Sequence, residues 1–170
     1  MALLKSTPVT FLVGTSGGTS GLYGLATSAT VGSQSNQVVT GTSSNITDIT
    51  VNLDIALPSV TTGSSSTKVD IYVWGTNDDA GFPGGTVTNE VITGAFGACT
   101  ISTIGTNALK WVGSVVQNLN TTAQTVRIDA SIVTSLGYVP RRWGLVFINN
   151  TGVAMPTTGH VAEYVESYYN

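Results

Sequence analysis

A chain of 170 residues is long enough for one domain with a sizeable buried core, and its single cysteine, Cys99, excludes an intrachain disulfide. Charged residues make up only 9% of the chain and the net charge is -3. The six basic residues are scattered, with only Arg141 and Arg142 adjacent, so no nucleic-acid partner is expected. No apolar run approaches the roughly 18 residues of a membrane helix, and the stretch from Met1 to Pro8 lacks a basic region ahead of a long apolar one. Neither a membrane partner nor a secretory leader is expected.

Ser and Thr together supply roughly a quarter of the residues, and there are 20 glycines. That mixture disfavours helix and suits strands, turns and extended arms. Residues 9–13 form a short candidate strand, followed by a Gly/Ser/Thr tract from Gly14 to Gly24. Residues 1–45 therefore divide off as an N-terminal arm with one short strand, anchored by Phe11, Leu12, Tyr23 and Val38, ahead of a second unit at 46–170.

Residues 47–57 carry the cleanest period in the chain. Ile49, Val51, Leu53, Ile55 and Leu57 share one face, while Asp48, Thr50, Asn52 and Asp54 share the other. Pro58 and the polar tract at 61–66 end this strand. A second alternating run, 68–74, sets Val69, Ile71 and Val73 inward and Lys68, Asp70 and Tyr72 outward, which suggests an antiparallel pair with the first. Residues 75–107 are dense in turn formers, with a minor strand expected at 86–92.

Strand pattern returns at 109–116 and 125–130, expected as a second hairpin. Residues 131–136 suit one helical turn closed by Gly137. After Pro140, every position from Trp143 to Ile148 is apolar or Gly, so neither face of that strand suits water. Trp143, Leu145 and Phe147 should point one way, Val146 and Ile148 the other. A last strand is expected at 160–168.

The pattern predicts an all-β fold, a β-sandwich or jelly roll of about eight antiparallel strands with at most one short helix. Its expected core is Ile49, Val51, Leu53, Ile55, Val69, Ile71, Val73, Trp143, Leu145 and Phe147.

Candidate chemistry is sparse. Gly14-Thr15-Ser16-Gly17-Gly18 matches the Gly-x-Ser-x-Gly nucleophile elbow, and His160 follows much later. The elbow needs a helix after the serine, whereas Gly17 to Gly24 is among the poorest helix formers in the chain. Asp78 and Asp79 lack the spacing of a calcium loop, and one His and one Cys far apart make no zinc site. Asp54 and Asp70 read as surface groups on neighbouring strands rather than a sugar-cleaving pair. Trp74, Trp111, Tyr164 and Tyr168 suit a core or an interface more than a sugar platform. No catalytic, cofactor-binding or metal-binding residue is expected, and no enzyme activity.

Taken together, Val69-Asp-Ile-Tyr-Val-Trp-Gly-Thr-Asn-Asp, Lys110-Trp-Val-Gly-Ser-Val, Val139-Pro-Arg-Arg-Trp-Gly-Leu-Val-Phe-Ile-Asn-Asn-Thr-Gly and Gly159-His-Val-Ala-Glu-Tyr resemble small tailed-phage virion proteins over roughly residues 50–170. The resemblance implies a capsid cement or decoration protein, assembled in the host cytoplasm into a virion. Its partners would be the major capsid protein, or other virion proteins, and further copies of itself; it brings no catalytic residues. Within such an assembly the expected interface residues are Phe11, Tyr23, Tyr164, Tyr168 and Tyr169. A tail component, or a carbohydrate-binding or adhesin sandwich, would share the same features. Composition leans towards assembly, because a surface poor in charge and rich in Thr, Ser and Gly loses little on desolvation.

Overall fold

The computed structural model describes residues 2–18, 20–41, 45–59, 67–77, 92–100, 109–117 and 122–170. Among them are eleven strands and one short helix: β1 (Leu3–Lys5), β2 (Val9–Thr10), β3 (Val31–Gln34), β4 (Val38–Val39), β5 (Ile46–Leu57), β6 (Lys68–Thr76), β7 (Gly97–Thr100), β8 (Lys110–Val116), β9 (Gln124–Ser131), α1 (Ile132–Leu136), β10 (Arg142–Asn149) and β11 (Val161–Tyr169). They form two antiparallel sheets. In the first the order is β1-β11-β5-β9, with β2 also on β11; in the second it is β7-β3-β10-β6-β8, with β4 also on β10.

The two sheets make a sandwich because each turns one apolar row inward. From the first sheet come Ile49, Val51, Leu53 and Ile55 of β5; from the second come Val69, Ile71 and Val73 of β6 and Trp143, Leu145 and Phe147 of β10. All ten residues expected from the sequence are essentially inaccessible to water.

Pairing differs from expectation. β5 is flanked by β11 and β9, and β6 by β10 and β8, so β5 and β6 lie in opposite sheets. The expected hairpin of β8 and β9 is split between the sheets in the same way. Alternation fixes which face of a strand is apolar, and facing another such row across the core buries it as well as pairing beside it does.

The N-terminal segment is more than an arm with one short strand. It contributes β1 and β2 to the edge of the first sheet, and β3 and β4 to the flank of β10 in the second. Phe11, Val13, Leu22, Tyr23, Leu25 and Val38 join the main core. Buried Asn149 ties this segment to the turn after β10: its Nδ2 donates to Leu25 O and Val153 O, both at 2.8 Å, while its Oδ1 accepts from Thr151 N and Oγ1.

Helix α1 is the expected single turn. Ser131 Oγ accepts from Thr134 N at 2.9 Å, and Gly137, at φ 82°, closes it by donating to Val133 O.

The outward face of the second sheet departs from its expected polarity. Trp74, Cys99 and Val146 form a separate buried cluster there, with Tyr72, Ile92 and Leu109 packed against it. Asp70, expected on a wet face, is also buried. Its carboxylate is held by Lys68 Nζ at 2.9 Å, by the Ser114 hydroxyl and by Asn150 Nδ2 at 3.3 Å. The run from Trp143 to Ile148 reflects both coverings, its odd residues facing the main core and Val146 the smaller cluster. The minor strand expected at 86–92 lies, apart from Ile92, outside the described residues.

Candidate functional site

Where β2 flanks the first sheet and β4 the second, the gap between the sheets opens as a cleft of about 290 Å³. Val9, Thr10, Phe11 and Leu12 line one side, Asn36, Gln37, Val38 and Val39 the other, with Tyr164 also contributing. Phe11 meets the Trp143 ring edge-on at 5.4 Å and the Tyr164 ring at 6.2 Å, and Trp143 and Tyr164 meet at 5.5 Å. Burial of Tyr164, reinforced by the charge of Glu166, raises its phenol pKa above the usual 10.0, so the ring is a neutral apolar wall with a hydroxyl. Gln37 has a buried Oε1 with no hydrogen-bond partner among the described residues.

The rim of the cleft is apolar and open to water. Leu12 is 51% exposed and Val39 56%, with Val9 beside them and Leu3 and Leu4 exposed further along β1. Chain ends meet on this edge, where Ala2 and Asn170 exchange backbone hydrogen bonds at 3.4 and 3.2 Å and Tyr169 lies opposite Leu3.

The five expected interface residues separate in this frame. Phe11 and Tyr23 are used inside the chain: Phe11 packs on Trp143, and Tyr23 donates its hydroxyl to His160 O at 2.7 Å. Each is buried, which leaves almost no surface for a partner. Tyr164 and Tyr168 are half-buried, and Tyr169 is exposed on the edge. The exposed Leu and Val residues of β1, β2 and β4 escaped the sequence reading because runs of two or three residues show no period.

The Gly-x-Ser-x-Gly match has a backbone explanation. Gly14 and Gly21 bridge two passing segments, and a Cβ on either would lie 2.3 Å from a backbone carbonyl oxygen. Ser16 sits exposed in the intervening turn, and among the described residues no helix follows it directly. His160 Nδ1 accepts from Ala56 N at 3.2 Å, and its Nε2 lies 3.0 Å from Pro156 O. Accepting at Nδ1 places the proton on Nε2, which donates to Pro156 O. Burial holds the imidazole pKa below 6.5.

Cys99 is buried with its thiol pushed up to about 11, chiefly by desolvation. Asp54 and Asp70 lie in different sheets and face away from each other. Asp78 and Asp79 lie outside the described residues. Among the described residues no group of three or more His, Cys, Asp and Glu side chains comes together as a metal site, and no helix is long and apolar enough to cross a membrane. No protein-family model matches the chain, and no curated protein matches it.

Proposed function

We propose that this protein is a non-enzymatic structural component of a phage virion, a capsid cement or decoration protein that stabilises the shell by contact with the major capsid protein and with copies of itself. One observation carries the reading: the exposed apolar rim of Leu3, Leu4, Val9 and Val39 on short edge strands, with Leu12 just beyond β2. Natural sheets guard their edges with Lys, Pro or inward charges. Along β1 and β2 the guards are Lys5 and Pro8 alone.

Covering such a rim is favourable, since each Val or Leu fully buried contributes about 1.5–3 kcal/mol. With charged residues at 9% of the chain, few ions need be desolvated in the process. The paired substitution Leu12→Asp with Val39→Asp tests this. Both side chains are exposed, so the sandwich should fold normally while the protein is lost from purified particles. Unchanged incorporation would refute the role given to the rim. A tail component would use the same contacts, and an image reconstruction of the particle distinguishes head from tail.

A carbohydrate-binding reading has one feature in its favour. Trp111, 61% exposed on β8 opposite Tyr72, offers an aromatic face to a sugar ring. It requires glycan binding that Trp111→Ala abolishes.

A further inference from the structure

Strand β9 is the edge of the first sheet opposite to β1. It pairs with β5 on one side, and among the described residues no strand pairs with its other side. Val126, Ile128 and Ala130 pack on the main core yet stay only half-buried, whereas Ile55, Leu53 and Val51, which they oppose on β5, are fully enclosed. On the outward face of β9, the side chains of Arg127 and Asp129 are 57% and 60% exposed.

We infer that β9 is a self-complementary contact that pairs antiparallel with β9 of a second copy, about a two-fold axis through Ile128. A two-fold contact presents the same strand from both sides. Antiparallel neighbours in one sheet must also match inward residues with inward and outward with outward, which places the axis on a residue rather than between two. Near the middle of β9 the choices are Arg127, Ile128 and Asp129. An axis through Arg127 sets that guanidinium against its own copy, and one through Asp129 opposes two carboxylates.

Only the axis through Ile128 sets Arg127 against Asp129 in both directions, with Ile128 meeting Ile128 and Val126 meeting Ala130 between them. Unlike charges directly opposite stabilise a strand pair, and like charges destabilise it. Within one chain Arg127 lies 3.3 Å from Asp129 and 3.7 Å from Asp54. Exposed ion pairs of this kind are weak, so exchanging them for the cross-strand pairs costs little. The joined edge also gives partners to the backbone groups that β9 turns away from β5.

This deepens the assembly reading by naming the contact between copies, and it is tested in solution, where no particle is needed. Sedimentation equilibrium should find the parent protein self-associating. R127D and D129R should each weaken association about tenfold, because two attractive cross-strand pairs become repulsive. The double variant R127D/D129R should regain it, and an equimolar mixture of the two single variants should form heterodimers, since each then supplies the charges the other lacks. Far-UV spectra should match the parent throughout; if one single variant misfolds, the double variant alone still has to associate like the parent.

A monomeric parent protein, single variants that associate as well as the parent, or a mixture no better than either component would overturn the inference. The two readings fail separately. Association through β9 by a protein missing from particles would leave this contact standing without the shell, and a monomer found in particles would do the reverse.

Discussion

Trp143 is enclosed by rings from both ends of the chain, Phe11 before it and Tyr164 after it. Trp143→Ala should lower stability by about 3–5 kcal/mol, a large part of what a domain of this size has, as read from the urea midpoint. A midpoint equal to the parent's would contradict the packing. The burial of Trp143 was legible from the unbroken apolar run after Pro140; its partnership with Phe11 was not, because 132 positions separate them and nothing local encodes the contact. His160 makes a second prediction. Its folded pKa lies below 6.5, so the unfolded chain binds the proton more readily. The His160 contribution should therefore be fully present above about pH 6.5, fall as pH drops from there, and level off below the folded pKa. Comparing urea midpoints at several pH values for the parent and His160→Gln isolates the step, which the variant should lack.

At the level of strands, the glycine at 144 shows how closely β10 is covered. A Cβ there would lie 2.8 Å from the Trp74 ring, so Gly144→Ala should cost about 1–3 kcal/mol through overpacking, measurable as a fall in Tm. The alternating strands were the most readable elements, since a period of two sorts each side chain to a face. Their neighbours were not readable, because β5 and β6 present the same pattern whether they pair or face each other. The N-terminal segment was the least legible. Its Gly- and Ser-rich stretches resemble a flexible arm, yet Leu22, Tyr23, Leu25 and Val38 are held in the core by backbone bonds such as Leu22 N to Val13 O and Met155 N to Leu25 O. Deleting residues 1–40 puts that docking to the test. The truncated chain should lose cooperative unfolding and dispersed amide resonances, because six buried apolar side chains worth about 1.5–3 kcal/mol each would be removed.

For the whole molecule, two features of the surface stand together: few charges, and sheet edges with apolar or self-complementary residues at opposite sides of the sandwich. The candidate site was only partly legible. Of the residues expected at an interface, Tyr169 is exposed, whereas Phe11 and Tyr23 are turned inward because the segment carrying them folds into the core. A low charge fraction was visible from composition, but composition cannot say where the apolar residues gather, and only the fold brings β2 and β4 together around a cleft. The proposed role requires this surface to be covered in a virion. Quantitative mass spectrometry of purified particles should find many copies of the protein per particle, in fixed ratio to the major capsid protein. Particles of normal composition and stability that contain no copies would overturn the proposal.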